Sequence, residues 1–95
     1  MMGQLFDSIR SLVLRGRYVV GEHAVERLEE RGILEWQVVD GIESGVLMLE
    51  RPKDLPNPSV EVQQLLADGT AIKTIWSHLV NADFAKLVTV YYLDK

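Results

Sequence analysis

The stretch His23-Ala-Val-Glu-Arg-Leu-Glu-Glu-Arg-Gly-Ile33 holds the side chains best suited to chemistry. On a helix turning by roughly 100° per residue, His23, Arg27 and Arg31 form one narrow stripe at roughly 0°, 40° and 80°. Ala24, Leu28 and Val25 continue round the same helix, so the stripe borders the buried face and can line a groove where the helix meets a sheet. Imidazole titrates near neutral pH and can shuttle a proton. Guanidinium presents paired planar donors to phosphate oxygens and stays charged. One histidine with two such groups suits phosphodiester chemistry. The plainer reading is a solvated, salt-bridged helix, with Glu22, Glu26 and Glu30 neutralising the arginines. Those glutamates would also repel a polyanion.

Other candidates are more ambiguous. Arg10, Arg15 and Arg17 form the one basic cluster without interleaved acids, able to hold phosphate or an acidic partner, or simply to solvate a helix end. Thr89 and Tyr91 alternate onto one face of the last strand, with Val88, Val90 and Tyr92 on the other. A Tyr91 hydroxyl facing the helical stripe can donate to phosphate, or Tyr91 is a core ring with a wet tip. His78 shares a strand face with Ile72 and Trp76, which suits a half-buried structural histidine. Trp36 and Trp76 read as packing residues rather than stacking platforms, because no basic run surrounds them. The sequence contains no Walker loop, GxGxxG, nucleophile elbow, HExxH or paired zinc ligands, so neither a metal nor a cofactor is expected.

The elements that must position these groups change period halfway along the chain. Leu5, Phe6, Ile9, Leu12 and Val13 mark one face of a helix within Gln4 to Arg15, stopped by Gly16. Tyr18-Val-Val20 is too short for more than an extended link or an edge strand. A second helix is expected from Gly21 or Glu22 to Arg31, ended by Gly32. A third, about Leu34 to Glu43, is expected to bury Trp36, Val38, Val39 and Ile42. Beyond Gly45 the pattern becomes strand-like. Val46 to Glu50 is a continuous apolar run ended by Pro52, and residues 52–58 form a loop with three prolines. Ser59 to Ala67 and Thr70 to Leu79 alternate about an Asp68-Gly69 hairpin signal. Asn81-Ala-Asp83 is a turn, and Ala85 to Leu93 is a strand rich in β-branched and aromatic residues. The expected architecture is a single α+β domain over 1–95. Two or three N-terminal helices (about 4–45) pack on one face of a four-stranded, largely antiparallel sheet (about 46–93).

The chain has 95 residues, 47% apolar and 25% charged, which fits one folded domain. With no cysteine there is neither a disulfide framework nor a thiolate metal site. Two histidines argue against structural zinc. No apolar run approaches the roughly 20 residues that cross a bilayer, and Asp7 interrupts the N-terminal apolar pair as a secretory signal would not. The expectation is a soluble cytoplasmic protein without membrane attachment. Residues 1–50 hold five Arg/Lys against nine Asp/Glu, whereas 51–95 hold five of each. A net charge of −4 gives no global attraction for nucleic acid, so RNA binding would rest on a local patch.

His23-Ala24, Arg27-Leu28 and Glu30-Arg31-Gly32-Ile33 together resemble the small bacterial domain-of-unknown-function family 4258. The resemblance continues through Gly45, the loop ending at Pro58, Asp68-Gly69 and Val88-Thr89-Val90-Tyr91. It covers about residues 20 to 92 and leaves the first helix as an addition. That family in turn resembles the RelE/ParE/BrnT-like toxins, whose fold packs N-terminal helices on a small antiparallel sheet. Many of these are metal-independent ribonucleases neutralised by an antitoxin encoded beside them. The resemblance implies His23, Arg27, Arg31 and Tyr91 as catalytic residues, Thr89 as a substrate-binding one, and RNA, the ribosome and an antitoxin as partners; Arg10, outside the resemblance, is expected to bind substrate as part of the basic cluster. Toxins of this fold tend to be basic. The net charge of −4, with only Lys86 and Lys95 near the last strand, adds weight to the alternative of a non-catalytic protein-interaction domain, while the motif keeps a toxin-like endoribonuclease as the first expectation. An exposed edge strand would also allow a homodimer.

Overall fold

Apolar residues at helical spacing bury one face of α1 (Gln4–Leu14) through Phe6, Ile9, Leu12 and Val13. Gly16 ends it in the left-handed region, and the Arg17 amide donates back to the Leu12 carbonyl at 2.8 Å. The remaining elements are β1 (Tyr18–Val20), α2 (Glu22–Arg31), α3 (Glu35–Gly41), β2 (Val46–Arg51), β3 (Ser59–Leu65), β4 (Ala71–Leu79) and β5 (Phe84–Tyr92). The structure is a computed structural model describing residues 3–93, so Lys95 lies outside the described residues.

Three helices cover a five-stranded mixed sheet of order β1-β5-β4-β3-β2. The sheet has one strand more than the sequence pattern implies. Tyr18 to Val20 pairs in parallel with Ala85 to Leu87, while every other neighbouring pair is antiparallel. A strand of three residues carries too little alternation to register as a pattern. The core lies between the helices and the face bearing Val60, Val62, Ile72, Trp76, Ala85, Leu87 and Val90. No helix among the described residues is long and apolar enough to cross a membrane.

Two side-chain placements differ from the sequence expectation. Val38 and Ile42 are fully buried, but Trp36 is 56% exposed. On a helix Trp36 lies about 160° from Val38 and about 120° from Ile42, so it cannot share their face. In β5 the alternation breaks at a bulge. Leu87 pairs with Trp76 and Thr89 with Ile75, leaving Val88 as an extra residue. Val88 consequently lines a groove with Ile75, Ser77 and Lys86, on the face turned away from the core, and does not follow Val90 and Tyr92.

Candidate active site along α2 and β5

α2 continues the line of β1 beside β5 and is tied to that strand at both ends. Before its first turn the Gly21 amide donates to the Leu87 carbonyl at 3.0 Å. At its last turn the Tyr92 hydroxyl donates to the Arg31 carbonyl at 2.7 Å, satisfying one of the acceptors a helix leaves open. Gly32 stops the helix with φ 66°, and the Ile33 amide donates to the Leu28 carbonyl at 2.9 Å. Ile33 and Leu28 are both buried, the apolar contact that accompanies this kind of helix end. Inward, α2 presents Ala24 and Leu28 to the core.

His23 is exposed and makes no hydrogen bond or ion pair among the described residues. The Arg27 and Arg31 side chains are 28% and 27% exposed, so their stems lie against the protein while their heads reach water. Both heads meet one carboxylate. Arg27 Nη1 donates to Glu30 Oε1, and Arg31 Nη1 stands 3.7 Å from the same oxygen. The intrahelical pairing anticipated as the plainer reading is therefore present, through Glu30.

The last strand, beside which α2 packs, carries two further candidates on the face turned away from the core, opposite Ile75 and Lys73. Thr89, 4% exposed, holds the only buried side-chain oxygen or nitrogen among the described residues that lacks a hydrogen-bond partner. Tyr91 shares its face of β5, opposite Lys73, whose ammonium lies 5.3 Å from the ring centroid.

The basic cluster near the N-terminus is dispersed over separate tasks. Arg10 donates to Asp7 at 2.9 Å and to the Glu43 carbonyl at 3.5 Å, and lies over the Phe6 ring. It thus belongs to the seam of α1 with the end of α3, not to the α2 stripe. Arg17 clamps the turn between β4 and β5 by donating to the carbonyls of Asp83 and Ala82. Arg15 lines an open groove of about 400 Å³ with Ser8, Ser11, His78 and Asp83. There His78 Nε2 lies 3.0 Å from Asp83 Oδ1, and this contact holds the Asp83 carboxyl below its usual range. Among the described residues no three His, Cys, Asp or Glu side chains gather as metal ligands would.

Sequence reasoning missed two polar clusters. In the core, Gln64 donates to the Val38 carbonyl at 2.8 Å, and its Oε1 accepts from Thr74 at 2.7 Å and Trp76 at 3.3 Å. The available signal was a polar residue at an inward position on each of two neighbouring strands, Gln64 after Val62 and Thr74 after Ile72. On the opposite face Glu61 pairs with both Arg51 and Lys73.

A two-layer α+β domain with a His–Arg–Arg stripe along one sheet edge is the class that fold and site define. Over residues 20–92 the chain matches the family described as Domain of unknown function (DUF4258), and it belongs to that family. The matched span contains the whole of α2 and β5 and omits α1. No curated protein and no solved structure matches it.

Proposed function

We propose that the α2–β5 edge is the active site of a metal-independent endoribonuclease of the toxin–antitoxin type. The observation that carries this reading is the juxtaposition at one edge of the His23, Arg27, Arg31 stripe with the strand that bears Thr89's unpartnered hydroxyl. His23 takes the proton from a ribose 2′-hydroxyl as its oxygen attacks phosphorus. The bond to the 5′-oxygen breaks, and that oxygen receives a proton from the imidazolium or from water, leaving a 2′,3′-cyclic phosphate. Arg27 and Arg31 stabilise the charge that develops on the non-bridging oxygens. Tyr91, backed by Lys73, orients the substrate. Resemblance to the RelE/ParE/BrnT-like toxins adds weight at the level of fold only.

Glu30 restrains this chemistry, because a phosphate must displace it from both guanidiniums. An end-labelled RNA incubated with the purified protein in EDTA tests the proposal. Cleavage to cyclic-phosphate ends is expected, with His23→Ala lowering the rate at least about 100-fold and Glu30→Gln raising it. Equal cleavage by the His23→Ala protein, or intact RNA with all three proteins, would sink the mechanism. The second reading is a non-catalytic interaction domain, favoured by that same occupation of both arginines by Glu30. Under it, expression arrests no growth and the three proteins behave alike.

A further inference from the structure

The surface formed by α3 and the β3–β4 hairpin is unlike the rest of the molecule. Val38 and Ile42 turn inward, which leaves Trp36 on the outer side of α3. Leu65, at the end of β3, is 59% exposed beside it. Trp36, Gln37 and Asp40 form one wall of a cleft of about 170 Å³, and Leu65 and Ala67 form the other. Gln37 Oε1 accepts from the Ala67 amide at 3.4 Å, joining helix to hairpin across the cleft. The space suits one medium-sized aliphatic side chain.

Charge around the cleft has a single sign. Residues 32–50 and 62–72 contain no Lys or Arg, while Asp40 on α3 and Asp68 in the turn are exposed carboxylates. An exposed tryptophan is the residue type most enriched in binding hot spots, and the leucines beside it add apolar surface to the patch. The acidic rim sets the chemistry of its partner. Phosphates would be repelled, which disfavours base stacking on Trp36. A second copy docking face to face would bring like charges together.

We propose that this cleft docks a basic amphipathic segment of a partner protein, which inserts an aliphatic side chain against Trp36 and Leu65 and sets Lys or Arg against Asp40 and Asp68. Such a segment reads as the helix-in-groove mode of recognition. The site is separate from the α2–β5 edge, and its occupancy does not require RNA cleavage.

The probe is a fluorescein-labelled Leu/Lys amphipathic helical peptide, with a Leu/Glu peptide of the same pattern as its counterpart. Trp76 is fully buried, so a change in tryptophan emission on binding reports Trp36. Expected are a saturable rise in peptide anisotropy, a blue shift of the emission, and no binding of the Leu/Glu peptide. Leu65→Ser and the Asp40→Asn/Asp68→Asn pair should each weaken binding about tenfold. Glu26→Gln/Glu29→Gln, on α2, should leave it unchanged. Binding without a blue shift, or equal binding by Leu65→Ser, overturns the proposal. So does a blue shift produced instead by oligouridylate, which would mean RNA stacking. Sedimentation as a dimer that Leu65→Ser dissociates would assign the cleft to a second copy and equally overturn it.

Discussion

In the core, Gln64, Thr74 and Trp76 bring four polar side-chain atoms out of water, and each finds a partner: the Val38 carbonyl accepts from Gln64, and the other three bond one another. On the other face of the sheet, in β5, the Thr89 hydroxyl is buried nearly as deeply and bonds nothing. Both clusters lie on the same sheet, about as far from solvent, yet only one is complete. A buried polar group without a partner costs about 1–3 kcal/mol, whereas a completed pair stabilises modestly. The completed cluster fastens α3 to the sheet. The incomplete one has no architectural return visible in the fold, and it sits on the strand that α2 packs beside. The difference separates polar groups whose bonds support the fold from one whose burial the fold's hydrogen bonds do not account for.

The sharpest way to test the completed cluster is to remove its largest member. Trp76→Ala deletes the largest fully buried side chain and the donor that Gln64 and Thr74 share. The expected loss is about 3–5 kcal/mol, a large part of the roughly 5–15 kcal/mol that holds a domain of this kind together. Because that variant can simply unfold, Trp76→Phe keeps one aromatic ring in the core while removing the N–H and the rest of the indole. It should cost about 1–3 kcal/mol by urea denaturation. A loss near zero for the phenylalanine variant would mean that the indole N–H adds nothing to stability.

A smaller effect is expected where charges are paired near solvent. Glu61, with its side chain 13% exposed, meets Arg51 and Lys73 on the face away from the helices. The hydrogen bond from Arg51, reinforced by the charges of Arg51 and Lys73, outweighs desolvation and holds its carboxyl below the usual range. A carboxyl lowered in the folded state contributes stability above its unfolded pKa and loses it as pH falls through the folded value. Denaturation of the native protein and Glu61→Gln across an acidic pH series should therefore show the two curves converging as pH drops. A gap independent of pH would mean that Glu61 acts by packing alone.

Most of the fold is legible in the sequence, and the exceptions have physical causes. Gly16 and Gly32 announce two helix ends, and both adopt left-handed backbone there. Asp68-Gly69 announces a hairpin, and the Leu66 amide bonds the Thr70 carbonyl across it. Tyr18 to Val20 reads only as a link or an edge strand, because a parallel edge strand of this length is defined by its partner β5, not by its own period. Val88 is misplaced because a bulge is a property of two strands in register, and only one of them is being read at a time. For the site, the α2 stripe can be read from spacing, and Tyr91 from alternation. The contacts of Arg10 with Glu43 and of Glu30 with both arginines depend on tertiary placement and rotamer, which spacing leaves open.

The smallest expected change in stability is the most informative about the unfinished cluster. Thr89→Val replaces a hydroxyl with a methyl group of nearly the same shape, so packing against its neighbours is kept. Since that hydroxyl has no partner to lose, its removal lifts a desolvation penalty and should leave stability unchanged or raise it by up to about 1 kcal/mol. Thr89→Ser keeps the hydroxyl and loses the methyl group, so it should be the less stable of the two by about 1 kcal/mol. If the hydroxyl serves the α2–β5 site, RNA cleavage falls in the valine variant and persists in the serine variant, the reverse of the stability order. A group kept for folding cannot produce that inversion, because stability and activity would then fall together. Loss of stability in Thr89→Val would show instead that the hydroxyl has a partner in solution, and the contrast with Gln64 and Thr74 would vanish.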